Sequence, residues 1–120
     1  PDTNAPATTA PVTPSEPPTS TAGGEIVSQQ NAVEMARTYL INSAFSRKGL
    51  IRQLEYEGFS SQDATYGVDK QHADWNVQAA EAAKEYLNSQ AFSRSGLIQQ
   101  LEYDGFTARQ AQYGVSQAGL

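Results

Sequence analysis

The sequence predicts an all-α fold: two tandem three-helix (helix-turn-helix-like) repeats behind a disordered Pro/Thr-rich N-terminal tail. Three observations predict it. All six prolines of the 120-residue chain fall within the first 18 positions, whereas every aromatic residue lies from Tyr39 onward. Sliding the chain along itself by 47 residues aligns 31–73 with 78–120 at 22 identities in 43 positions. Within each copy the apolar residues recur at helical spacing, with no strand-like alternation, which marks a tandem array of small helical units. The expected division is a disordered spacer at 1–28, a first repeat at 29–73 and a second at 74–120.

The tail is predicted from composition. Eighteen of the first 24 residues are Pro, Thr, Ala or Ser, followed by Glu25 after Gly23-Gly24. Such a stretch buries too little apolar surface to offset its ordering entropy. Extended at about 3.1 Å per residue, it would reach roughly 75 Å. We read it as a spacer that holds the body away from an anchor, with an arbitrary linker as the alternative. The opening Pro1-Asp2-Thr3 is expected to follow an upstream segment that has been removed.

In the first repeat, Ala32, Ala36, Tyr39 and Leu40 share one face of a helix expected over about 30–42. Ser46 is placed to cap a second helix near 47–57, with Phe45 stapled onto Leu50. Leu50, Ile51 and Leu54 form its buried face, and Gly58 suits its left-handed end. The pattern recurs for a third helix, with Phe59 as staple, Ser60 as cap, Asp63 in the capping-box position and Ala64 as the staple's target. The second repeat offers Phe106, Thr107, Gln110 and Ala111 at the same places. Gly67 and Gly114 fall inside the third helices, where each costs about 1 kcal/mol against Ala. Their expected compensation is a close helix crossing. At the join, Asp74 is placed to cap the next helix, and Trp75, whose counterpart is Ser28, is placed to pin the copies together.

Composition excludes several functions. The net charge is −5, which opposes a phosphate-binding nucleic-acid surface or a polybasic membrane surface. There is no cysteine, hence no disulfide framework, thiolate metal site or Cys nucleophile. No apolar run approaches the ~18 residues of a membrane span. His72 has no metal-spaced partner and no counterpart, since Gly119 takes its place in the second repeat. The acids do not form an EF-hand loop, and no glycine-rich loop is placed to cradle phosphate. The chain reads as a non-enzyme without cofactor or metal.

The remaining constellation is Glu55-Tyr56-Glu57 and its copy Glu102-Tyr103-Asp104. At 100° per residue, Tyr56 lies nearly opposite the buried face of its helix. An outward tyrosine between two acids, present twice, makes a contact point for a basic partner segment. The alternative is that both tyrosines pack on a neighbouring helix while the acids form an ordinary solvated face. The second and third helices also look like a helix-turn-helix, but the would-be recognition helix carries Asp63 and Asp69 against one lysine, so DNA reading is disfavoured.

The doubled pattern has a known likeness. Tyr-Leu, then Phe-Ser-Arg-x-Gly-Leu-Ile-x-Gln-Leu-Glu-Tyr-(Glu/Asp)-Gly-Phe-(Ser/Thr), then Ala-x-Tyr-Gly-Val runs through each copy, with Asp74-Trp75-Asn76 between them. Over about 29–120 it resembles the host cell surface-exposed lipoprotein (Ltp-like) family of temperate phages and Gram-positive bacteria. The resemblance implies a lipid-anchored protein on the extracellular face of the host's cytoplasmic membrane. It would exclude superinfecting phage by blocking DNA injection, through a basic or helical segment of the incoming phage's tape-measure protein. The family's signal peptide and lipobox cysteine are not in this sequence, so membrane attachment is expected only through an upstream Cys. No nucleic-acid partner is implied, and the chain is expected to be a monomer. A cell-wall-binding surface module is the main alternative, and a helix-turn-helix DNA binder the weaker one.

Overall fold

The fold is given by a computed structural model, in which residues 26–120 are described. The predicted spacer lies outside the described residues up to Glu25, while Ile26, Val27 and Ser28 open the first helix. Among the described residues six helices follow one another: α1 Val27–Asn42, α2 Arg47–Tyr56, α3 Ser61–Asp69, α4 Trp75–Ser89, α5 Arg94–Tyr103 and α6 Ala108–Gln117. No strand occurs among the described residues. Helix α1 starts three residues ahead of the expected Gln30, because the Ile26 backbone N–H finds an acceptor in the Gln29 side chain at 3.1 Å.

The caps are those the sequence places. Ser46, Ser60, Ser93 and Thr107 each accept the backbone N–H three residues on, and Asp74 accepts those of Asn76 and Val77. Each satisfies donors that the first turn leaves without partners. Helices α2 and α5 stop in Gly58 and Gly105, at φ 110° and 113°. There the N–H of Phe59 reaches back to Leu54 and that of Phe106 to Leu101, both at 3.1 Å, which is the Schellman arrangement. One expectation fails in detail. Asp63 does not close a capping box with Ser60; its carboxylate instead accepts the Ser28 hydroxyl on α1 at 2.8 Å. The second repeat, with Gln110 at that position, does close the box.

Each trio of helices has its own core. Ala32, Ala36, Leu50, Leu54, Ala64 and Val68 form one cluster, and Ala79, Ala82, Ala83, Leu97, Leu101, Phe106, Ala111 and Val115 the other. Ile51, expected in the buried face of α2, is only partly buried against the first cluster. The alanines on α1 and α4 keep those helices slim where the third helix crosses. At the crossing stand Gly67 and Gly114, as expected. A Cβ on Gly67 would lie 2.6 Å from the Ala32 carbonyl carbon, and one on Gly114 the same distance from that of Ala79. Backbone therefore meets backbone, and no rotamer change can make room for a methyl.

The two units stack end to end in a body of 63 × 27 × 21 Å. Trp75, the first residue of α4, packs against the core of the first repeat, as its unpaired position in the sequence suggested. The start of α2 plugs into the second repeat. Ser46 Oγ donates to the Asp104 carbonyl at 2.7 Å while accepting from Gly49 N, and Phe45 N donates to Gln78 Oε1 at 3.0 Å. Ala44 completes the plug by packing on the second core.

Two stability outcomes follow from this arrangement. Gly114→Ala would gain helix propensity on an open surface; here overpacking wins, with an expected loss of about 1–3 kcal/mol in urea unfolding. Ser46→Ala loses a cap and also leaves the part-buried Asp104 carbonyl without its donor, whereas Ser93→Ala loses only a cap. We expect Ser93→Ala to cost about 1 kcal/mol and Ser46→Ala about 1–3 kcal/mol more. Equal losses would remove the junction's share.

Candidate partner-binding surface

The Glu-Tyr-acid triplets end α2 and α5 because the helix stops one residue later in a left-handed glycine. With Leu54 and Leu101 turned into the cores, Tyr56 and Tyr103 point away from them and remain 85% and 83% exposed. Neither ring packs on a neighbouring helix, so the packing alternative raised by the sequence is set aside by the geometry. The repeats thus display two outward tyrosines, each at the C-terminal end of a helix.

The acids beside them are less free than the sequence suggested. Glu57 Oε2 accepts the Tyr39 hydroxyl at 2.5 Å, and Gln53 Nε2 donates to that same hydroxyl at 3.2 Å. In the second repeat Asp104 accepts from Tyr86 at 2.6 Å and from Gln100 at 3.1 Å. These bonds tie the end of α2 to α1, and the end of α5 to α4. Glu55 accepts the Ser61 hydroxyl at 2.6 Å. Glu102 has no such anchor, since Ala108 stands where Ser61 does, and it is exposed. Of the six predicted residues, Tyr56, Glu102 and Tyr103 are therefore wholly available. Glu55, Glu57 and Asp104 carry charge but are committed to internal hydrogen bonds.

The tyrosines that hold Glu57 and Asp104 are a feature that sequence reading missed. Each stacks edge-on against the phenylalanine that follows its helix, Tyr39 on Phe45 and Tyr86 on Phe92, at 5.5 Å and 76° in both cases. Their phenols nevertheless differ. That of Tyr39 is raised chiefly by its hydrogen bond to Glu57. That of Tyr86 is pushed up to about 12, first by burial and then by the Asp104 carboxylate. The cause of the extra burial is the plug: Tyr86 lines the junction with Phe45, Ser46 and Arg52 of the first repeat.

Among the described residues no three His, Cys, Asp or Glu side chains gather to hold a metal ion. His72 is exposed and sits at φ 51°, ending α3 where Gly119 at φ 104° ends α6. Arg47 forms a two-point ion pair with Asp69, at 2.8 and 3.0 Å, which holds that carboxyl below its usual range. Its counterpart Arg94 donates to the Ser116 hydroxyl at 3.1 Å instead of to a carboxylate. No helix among the described residues is long and apolar enough to cross a membrane.

Comparison with known proteins places these features. The profile of the host cell surface-exposed lipoprotein family matches residues 28–70 and again 74–117. The fold is similar to the solved structure of Ltp, a superinfection exclusion protein from the Streptococcus thermophilus temperate phage TP-J34, with a TM-score of 0.71 and 30% identity. That likeness covers 77% of this chain and 96% of the phage protein. No curated protein gives a significant match.

The phenol of Tyr86 supplies a pH test. The folded chain holds this proton more tightly than the unfolded one, so its contribution to stability is complete below about pH 10. It is lost as pH rises from the ordinary 10.0 toward about 12. An absorbance titration of tyrosinate should show a late component that Tyr86→Phe removes. Asp104→Asn should shift that component downward, and no movement would mean that burial alone sets it.

Proposed function

Because the chain belongs to the host cell surface-exposed lipoprotein family, we propose that it acts in superinfection exclusion, displayed outside a Gram-positive host on a lipid anchor. The observation that carries this reading is the likeness to a superinfection exclusion protein over nearly the whole of that protein's chain. The two repeats present an acidic, tyrosine-bearing surface, and its fit is to a basic or helical segment of the incoming phage's tape-measure protein. Capture of that segment would prevent DNA injection without affecting adsorption. No catalytic step is required; the chain acts by occupancy.

Charge and aromatic surface divide the work in this mechanism. Glu102, free of internal bonds, and the charged but anchored Asp104 draw in a cationic segment, while Tyr103 gives it a rigid ring to pack on. Such attraction is screened beyond about 8 Å at physiological ionic strength. Binding should therefore weaken with salt if the acids dominate, and hold if an apolar groove does. The exposure of Tyr56 and Tyr103 also favours a second reading, a cell-wall module that lays aromatic rings on sugars. Co-sedimentation with purified wall would reveal that activity.

The test is a phage challenge of cells that display the chain behind a lipoprotein signal, with adsorption and DNA delivery scored separately. The expected outcome is normal adsorption with delivery blocked. Delivery that proceeds across several phages, with the protein verified on the surface, would overturn the proposal. For the surface itself, Glu102→Lys should weaken binding to a tape-measure segment roughly three- to tenfold while leaving the urea midpoint unchanged. Asp104→Asn should lower that midpoint, because it loosens Tyr86.

A further inference from the structure

The two repeats carry the same pair of complementary surfaces, but each uses a different one. On the second repeat, Ala82, Glu85, Tyr86, Ser89, Asp104 and Phe106 form a trough between α4 and the α5–α6 turn, and the Ala44-Phe45-Ser46 plug closes one side of it, leaving a cavity of about 460 Å³. Shifted by 47 residues, the trough becomes Met35, Thr38, Tyr39, Asn42, Glu57 and Phe59, which line an open groove of about 780 Å³ on the first repeat. The plug likewise has a copy, Ala91-Phe92-Ser93, with Gly96 and Gln99 standing where Gly49 and Arg52 do.

Burial follows this division. Ser46 is 3% exposed and its copy Ser93 is exposed; Phe106 is 5% exposed and its copy Phe59 only half-buried. The glycine turns differ in the same sense. A Cβ on Gly105 would meet Ser46 Oγ at 2.6 Å, whereas one on Gly58 would meet nothing within 4 Å. Among the described residues, the first repeat therefore carries an unfilled trough and the second an unused plug.

We propose that the groove on the first repeat is a docking site for a second copy of this chain, which inserts its Ala91-Phe92-Ser93 turn as Ala44-Phe45-Ser46 inserts within the chain. The occupant is specified by an interface already present in the molecule, with identical residues at the Ala, Phe, Ser, Arg and Gly positions of the plug. Ser93 Oγ would reach the Glu57 carbonyl as Ser46 reaches that of Asp104. Such a contact is heterologous, head to tail, so it propagates into a row rather than closing a pair. It is weaker than its internal model for three reasons. Ser28 replaces the pinning Trp75, Gln99 and Thr38 replace the oppositely charged Arg52 and Glu85, and no linker raises the effective concentration. The chain is thus a monomer when dilute and associates when crowded.

The experiment is an NMR dilution series of the full chain from about 1 mM to about 10 µM, spanning the weak-affinity range, paired with sedimentation equilibrium. Concentration-dependent shifts at Thr38, Tyr39 and Phe59 together with Ala91, Ser93 and Gly96 are expected. Ala91→Glu, at an exposed position, should abolish them with the urea midpoint unchanged. The double variant T38E/Q99R places opposite charges where Glu85 and Arg52 line the internal junction and should lower the onset concentration about threefold. Shifts that stay constant at both surfaces in the natural chain and in T38E/Q99R, or association that Ala91→Glu leaves intact, would overturn the proposal. In the first of those cases the groove would be left to a foreign partner.

Discussion

Each repeat depends on one point of contact between two backbones, Gly67 against Ala32 and Gly114 against Ala79. Because no side chain stands there, the third helix lies directly on the first, and the buried alanines around the crossing complete a thin seam. The second helix is then held against this pair mainly by two leucines, Leu50 and Leu54 or Leu97 and Leu101, and by its capped ends. Its far end projects, which is why a Tyr between two acids faces water. A unit of this size buries a small core, and losing one such leucine would cost it about 2–5 kcal/mol.

With so little core, the ends of the helices carry much of the specification. Serine or threonine caps start four of them, Asp74 caps α4, left-handed glycines stop α2 and α5, and several of these groups then serve between elements. Ser46 caps α2 and also holds the second repeat; Asp63 leaves its capping role to hold Ser28; Glu57 and Asp104 turn from the solvent toward the phenols of Tyr39 and Tyr86. Polar groups that read as local punctuation become the fasteners between helices. Doing so leaves few acids unattached, and it places Glu102 and the two exposed tyrosines at the centre of the proposed partner surface.

Near-identical segments with different surroundings also separate intrinsic chemistry from context. Tyr39 and Tyr86 have the same ring partner geometry and the same kind of carboxylate, yet burial is the leading cause of the raised phenol only for Tyr86. The first repeat covers one, and no described residue covers the other in the same way. The same asymmetry distinguishes Ser46 from Ser93 and Phe106 from Phe59, and it gives the body a polarity that the repeat pattern lacks.

By itself, the sequence determined the helices, the caps, the glycine crossings, the role of Trp75 at the join and the outward direction of Tyr56 and Tyr103. All of these rest on interactions within a few residues, or on a periodicity that fixes which face of a helix is buried. Only the tertiary structure decided the use of Asp63, the tying of Glu57 and Asp104 to tyrosines, and the difference between trough and plug. Those depend on which distant groups the packing brings within hydrogen-bond reach. Two copies of one pattern cannot reveal from their residues which will be covered, because the covering is done by the neighbouring copy.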